Sequence, residues 1–194
     1  MTTANKVTIV RILFVPLFIV QVIYYNRSGN PLNLYVAIAA FFSAAVADGI
    51  DGYIARHFNQ RSELGAILDP LADKLLLVSG IVLLSMESRY FIRVPIYLTA
   101  TVISRDVILV IGLAVIHYTG TKFSVRPHIT GKIATVLQMA TVLWTLLKFP
   151  PTVLPYLTIP AALFTGISGL LYVFGGMTHL NAHPSSGPTP PQQS

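Results

Sequence analysis

Four aspartates at fixed spacing, Asp48, Asp51, Asp69 and Asp73, are the residues through which this chain could do chemistry. The chain has only 7 acidic residues, and these four lie in apolar surroundings. The stretch reads Asp48-Gly-Ile-Asp51-Gly52-Tyr-Ile-Ala55-Arg56, then, after a polar connection, Gly65-Ala-Ile-Leu-Asp69-Pro-Leu-Ala-Asp73-Lys74. A carboxylate surrounded by hydrocarbon must be paired or coordinated, so such a cluster in a membrane protein marks a functional site. The absence of cysteine excludes disulfides, thiolate zinc sites and cysteine nucleophiles. Carboxylate oxygens suit hard cations, Mg2+ or Mn2+, better than zinc or copper. Two divalent cations would balance the aspartates, and paired ions are a recurring device for displacement at a phosphoryl or pyrophosphoryl group. One carboxylate would also accept a proton from the attacking group. Arg56 beside the cluster, with Lys74, Arg105, Arg126 and Lys132 elsewhere, can bind phosphate oxygens. Gly52 leaves room for a ligand against the helix backbone.

Long apolar helices must position these residues. The chain is 54% hydrophobic and 10% charged, with mean hydropathy +0.68, whereas soluble domains carry about a quarter charged residues. This composition predicts an all-α integral membrane protein. At about 20 residues per span, the 194 residues accommodate a bundle of six transmembrane helices, with a polar, metal-binding cavity open to the cytoplasmic side. The apolar runs place helices at about 7–25, 32–56, 65–86, 94–118, 131–148 and 156–177, separated by polar or turn-forming segments. The first is read as an uncleaved helix, because no small-residue cleavage site follows it. One membrane domain is expected over residues 1–180. The Pro-, Ser- and Gln-rich stretch 181–194 has the composition of a disordered tail.

Residues three and four apart share a helix face. Asp48, Asp51, Gly52, Ala55 and Arg56 therefore form one stripe, Asp69 and Asp73 another, and the short connection between them predicts a hairpin on which the four carboxylates converge. Ala37, Ala39, Ala40, Ser43, Ala44, Ala45 and Ala47 in the second helix, and Gly166, Ser168, Gly169, Gly175 and Gly176 in the sixth, are suited to close helix approach. The net charge of +6 does not point to nucleic acid, because the basic residues are scattered between apolar segments. Anionic headgroups and phosphate-bearing substrates fit better. Lys6, Arg11, Arg56, Arg61, Lys122, Arg126 and Lys132 fall on one side of such a bundle, and Arg27, Arg89, Arg93 and Lys148 on the other. The excess places the N-terminus and the aspartates on the cytoplasmic side. Arg105-Asp106 reads equally as an internal ion pair or a substrate contact. A divalent cation transporter would also carry intramembrane carboxylates, but here they gather at one end of the bundle instead of its midplane.

The pattern Asp48-x2-Asp51-Gly52-x2-Ala55-Arg56-x8-Gly65-x3-Asp69-x3-Asp73 resembles the signature of the CDP-alcohol phosphotransferase family, with every fixed position filled. Asn5-x2-Thr8-x2-Arg11, Lys74, Ser104-Arg105 and Gly131-Lys132 extend the likeness over about residues 4 to 177. The resemblance implies a membrane enzyme, usually a homodimer, that moves a phosphatidyl or similar group from a CDP-linked donor to an alcohol and releases CMP. It implies that Asp48, Asp51, Asp69 and Asp73 hold two metal ions and that Asp73 doubles as the catalytic base. Gly52, Arg56 and Ser62 would contact the nucleotide and its diphosphate, with Asn5 and Thr8 near the same donor. The chain's size is similar to that of bacterial inner-membrane members that join CDP-diacylglycerol to glycerol 3-phosphate in phospholipid biosynthesis. Arg105, Arg126 and Lys132 are then the acceptor-binding candidates. Ile103-Ser104-Arg105-Asp106-Val107 also resembles CMP-forming members that make cardiolipin with phosphatidylglycerol as acceptor. An arginine expected soon after Gly112 in the first group is replaced here by Ala114 or Val115.

Overall fold

The computed structural model describes the backbone of residues 3–58, 63–119 and 129–182, and the side chains of residues 12–47, 72, 74–112 and 129–175. Within them the chain forms α1 (Thr3–Ser28), α2 (Pro31–Phe58), α3 (Glu63–Ser85), α4 (Ile96–Thr119), α5 (Ile129–Leu146), a 3-10 turn (Pro151–Val153) and α6 (Leu154–Ala182). Each helix expected from the apolar runs is present, and no strand occurs among the described residues. α6 runs to Ala182, past the expected end of the domain, and residues 183–194 of the expected tail lie outside the described residues.

The ends of the helices follow from local chemistry. Gly29, at φ +68°, donates its N–H to the Tyr25 carbonyl at 2.8 Å and closes α1, the left-handed cap that glycine adopts most readily. Asn30 caps α2 by accepting from the Leu32 N–H at 3.0 Å, and Pro31 takes the first helical position, where a missing N–H is tolerated. α4 starts at Ile96, slightly later than the apolar run suggests, because Val94 precedes Pro95 and is disfavoured in helical conformation. α5 stops at Leu146, short of Lys148. Lys148 has φ 56°, its N–H reaches the Thr145 carbonyl at 3.1 Å, and Phe149 N–H reaches the Trp144 carbonyl at 3.2 Å. This is the paired-bond helix stop that glycine usually serves. Here it is supported by the Trp144 and Phe149 rings, 4.7 Å apart.

Lys148 holds this conformation because its side chain is occupied. Its ammonium donates to the Tyr25 hydroxyl and lies 4.9 Å from the centre of that ring, a cation–π arrangement. Phe91 and Tyr90 pack on Tyr25 at 4.9 and 5.6 Å. Ser88 donates to Asn26 Oδ1 at 2.8 Å, and Arg93 Nε donates to the Ser85 carbonyl at 2.7 Å. The end of α1, the α3–α4 connection and the end of α5 are thus tied together, at the end of the bundle to which the sequence assigns Arg27, Arg89, Arg93 and Lys148.

α3 packs against α1, α2, α4 and α5, while α1 pairs with α2, and α6 with both α4 and α5. Phe18, Phe41, Ile81, Leu98 and Val142 are fully buried between them. Ala37, Ala40 and Ala44 are buried on the face of α2 that bears Phe41, whose ring lies 5.5 Å from Phe18. Buried positions also include Gln138, Thr141, Thr145, Thr158, Thr165 and Ser168, whereas Leu13, Phe42, Val110, Val136, Leu163 and Phe174 are exposed. Gln138 donates to Thr165 at 2.8 Å, and Tyr97 and Thr158 share a hydrogen bond of 2.6 Å. Polar contacts inside and apolar side chains outside suit a lipid environment, where association rests on close packing and interhelical hydrogen bonds. Among the described residues two stretches, Ile129–Leu146 and Pro151–Gly175, are long and apolar enough to cross a membrane by length and composition.

Gly80 is where α3 and α5 approach most tightly: a Cβ there would lie 3.1 and 3.3 Å from the two Val142 methyl carbons. A Cβ on Gly112 would meet nothing within 4 Å among the described residues. Gly80→Val is expected to destabilise the protein by about 1–3 kcal/mol through overpacking. Gly112→Ala should be neutral or stabilising by up to about 1 kcal/mol, since alanine is the better helix former. Thermal unfolding of both variants in one detergent checks the contrast.

Candidate functional site

The backbone brings the four aspartates to matched levels. Asp51 precedes the end of α2 at Phe58, and Asp69 follows the start of α3 at Glu63, each by about 10 Å along its helix at a rise of about 1.5 Å per residue. Asp48 and Asp73 stand farther from the same two ends, each by about 15 Å. Each helix thus has one aspartate position about 10 Å and one about 15 Å along its backbone from the end facing the other helix. Gly52 and Arg56 continue the Asp48 and Asp51 stripe toward that connector. Thr8 precedes the end of α1 at Ser28, and Asp51 follows the start of α2 at Pro31, each by about 30 Å. With α1 packed on α2 and α3, the backbone at Asn5 and Thr8 reaches the level of the aspartates. Ser62 and Arg126 lie outside the described residues, and the side chains of the aspartates, Gly52, Arg56, Asn5 and Thr8 are not among those described.

One residue beyond Asp73, the side chains are defined. Lys74 Nζ donates to Asp106 Oδ1 at 2.5 Å, joining α3 to α4. The same oxygen lies 3.6 Å from Arg105 NH1. Side-chain exposure falls along this chain, from 44% at Lys74 to 20% at Asp106 and 12% at Arg105. The charge of Lys74 is directed across the helix interface. Arg105-Asp106 is the internal ion pair, extended to a third member.

Arg105 occupies a slot built from α5 and α6. Its NH2 contacts Ser168 Oγ at 3.5 Å, and its guanidinium lies 6.0 Å from the centre of the Tyr172 ring. A Cβ on Gly131 would stand 3.2 Å from both Arg105 NH2 and Ser168 Oγ, and one on Gly169 would stand 3.4 Å from Arg105 Cγ. Those two glycines admit the arginine, whereas a Cβ on Gly175 would meet nothing within 4 Å among the described residues. Lys132, next to Gly131, is exposed. Two of the three expected acceptor-binding cations are thus placed around the start of α5, with Arg105 tethered and Lys132 on the surface. Among the described residues Arg105 Nε and Thr130 Oγ1 are buried without a hydrogen-bond partner.

Sequence reading did not identify the Lys74 to Asp106 contact, the Ser168 and Tyr172 contacts, or the glycine slot. Periodicity within a helix carries no information about which residue of the next helix it meets. The only available signal was an isolated acid beside an arginine in an apolar run, a residue that requires a buried partner.

Chemically, Asp106 is flanked by two cations, leaving a net positive charge one residue from the acidic stretch of α3. A tethered arginine of this kind can bind phosphate oxygens. The model of the CDP-alcohol phosphatidyltransferase family matches residues 1–168. Proteins of Escherichia coli (strain K12), Shigella flexneri serotype 5b (strain 8401) and Shigella sonnei (strain Ss046), each named CDP-diacylglycerol--glycerol-3-phosphate 3-phosphatidyltransferase, are similar to this chain. Each is 33% identical over 140 residues, covering 72% of this chain and 73% of the relative. The apolar exterior, the two spanning-length helices and these relatives together make the chain membrane-associated. The matched stretch takes in α1 to α5, the aspartates, Arg105 and Ser168, and on that evidence the chain belongs to the CDP-alcohol phosphatidyltransferase family.

Proposed function

We propose that this protein transfers the phosphatidyl group of CDP-diacylglycerol to glycerol 3-phosphate, giving phosphatidylglycerophosphate and CMP in phospholipid biosynthesis. The observation that carries this reading is the placement of Asp48, Asp51, Asp69 and Asp73 at matched levels of α2 and α3, in a chain 33% identical to enzymes so named. In this reading all six helices span a bacterial cytoplasmic membrane, the aspartates open to the cytoplasm, and the protein works as a homodimer.

The donor set fits hard divalent cations, because carboxylate oxygens are what Mg2+ and Mn2+ prefer. The four aspartates would hold two such ions, which when bound polarise the diphosphate and neutralise charge on the departing phosphate. Asn5, Thr8, Gly52, Arg56 and Ser62 hold the nucleotide and diphosphate of the donor. Asp73 takes the proton from the acceptor hydroxyl as its oxygen forms a bond to the phosphatidyl phosphorus. The bond from that phosphorus to the CMP oxygen breaks, and CMP leaves with the electron pair. Arg105, Arg126 and Lys132 bind the phosphate of glycerol 3-phosphate. Arg105 is suited to this task because Asp106, Ser168 and Tyr172 fix its guanidinium in advance, so little side-chain freedom is lost on binding.

Purified protein in detergent is expected to release CMP from CDP-diacylglycerol only with Mg2+ or Mn2+, and chelation should stop it. Asp73→Asn should lower turnover by about 100-fold or more, the usual contribution of a positioned base; turnover retained in that variant would remove Asp73 from the role. An acceptor panel of glycerol 3-phosphate, phosphatidylglycerol, inositol phosphate and serine should show turnover with glycerol 3-phosphate. Turnover with phosphatidylglycerol alone would assign the protein to cardiolipin formation instead.

The glycine slot supplies a separate test. Gly131→Val places methyl groups where Arg105 NH2 and Ser168 Oγ now lie. It is expected to raise the KM for glycerol 3-phosphate by about 10-fold, equivalent to about 1.4 kcal/mol, without changing the KM for CDP-diacylglycerol. Steady-state kinetics with each substrate varied in turn checks this, and an equal rise in both constants would place Arg105 outside the acceptor site.

A further inference from the structure

We propose that Lys74 and Asp106 are a positioning pair that sets the rotation of α3 about its own axis, and with it the approach of Asp69 and Asp73 to the divalent cations. The proposal rests on the reading of the aspartates as metal ligands and adds residues that reading does not use. α3 is fastened to the α4 side at two points. At its far end Val94 N–H donates to the Leu84 carbonyl at 2.9 Å and Arg93 Nε to the Ser85 carbonyl at 2.7 Å. At the aspartate end the Lys74 to Asp106 bond is the fastening. From Lys74 to Leu84 the helix rises by about 15 Å, which is the distance between the two points along the axis.

Successive helical residues turn by about 100°, so directing position 74 at α4 places positions 73 and 69 about 100° and about 140° around the same axis. Atoms about 5 Å from a helix axis move by about 2 Å for a rotation of about 20°. Metal–ligand distances tolerate only about 0.2 Å. A loss of rotational control that leaves the fold intact is therefore enough to spoil a cation site. Asp106 is itself held by Arg105, which is anchored on α6 through Ser168, so the fastening point on α4 is a fixed one.

The pair is tested with Lys74→Met, Asp106→Asn and the exchanged double variant Lys74→Asp/Asp106→Lys, all in the full chain. Two readouts are used: the rise in unfolding temperature with Mn2+ alone, and the Mn2+ concentration giving half-maximal CMP release. Each single variant should retain cooperative unfolding without metal but need about 10-fold more Mn2+ or greater in both readouts, the usual effect of losing a group that orients a metal ligand. The exchanged variant should recover most of the loss. Lys74→Arg, which can keep the pair, covers the case in which the neutral variants fail to fold, and should need less than about 3-fold more Mn2+. An unchanged Mn2+ requirement in folded single variants overturns the proposal, as does a rise confined to the KM for CDP-diacylglycerol, which would make Lys74 a donor contact. Absence of CMP release by the wild-type protein would count against the phosphatidyltransfer reading alone, because the Mn2+-dependent unfolding shift still reports on the pair.

Discussion

Charge placed among apolar helices must be compensated within the bundle, and Asp106 is where this protein does so most visibly. Its carboxylate serves Lys74 of α3 and Arg105 of its own helix through one oxygen. An ion pair at such separations is worth several times more at a protein interior's effective dielectric than in bulk water. Removing one member would leave the others without their counter-charge, which is more harmful than never having the pair. Helices α3, α4 and α6 are consequently locked together by electrostatics at the aspartate end, while hydrogen bonds and the Tyr25 to Lys148 aromatic contact lock the opposite end.

That division depends on small residues. Arg105 enters the interior only because Gly131 and Gly169 present no side chain, and α3 approaches α5 only because Gly80 does the same beneath Val142. Elsewhere the interior includes threonines that bond to carbonyls one turn back, as Thr141 does to Leu137 at 2.8 Å and Thr145 to Thr141 at 2.9 Å. Such residues satisfy their own hydroxyls and still allow close helix contact. The exterior can then be largely apolar without weakening the bundle.

Much of this was legible in the residues alone. Apolar runs separated by Gly, Pro and Asn clusters located all six helices to within a few residues, because helix existence follows from composition and the stops from turn chemistry. Differences arose where a side chain some distance away decided the backbone. Lys148 ends α5 in a conformation usually reserved for glycine, and its stabilising partner Tyr25 is 123 residues away. The stripes of Asp48 with Asp51 and of Asp69 with Asp73 were legible because helical spacing alone defines a face. The role of Asp106 was not, because the rotation that points Lys74 toward it is settled by tertiary packing.

The proposed site assignments would separate the two halves of the reaction along the bundle. α1, α2 and the first turns of α3 carry every residue assigned to the donor and its cations apart from Ser62 in the connector, whereas the cations assigned to the acceptor lie on α4, near the start of α5 and just before it. A transfer between two anionic substrates needs them close at one phosphorus yet kept from repelling each other, and fixed positive charge between the two subsites meets both needs. Lys74 and Arg105 both contact Asp106. A neutral residue at position 106 would leave the two cations to repel each other and free α3 to turn. A carboxylate there keeps the charge positive by one unit while holding both side chains still, which explains why the one acidic residue among the described side chains of α4 sits beside an arginine.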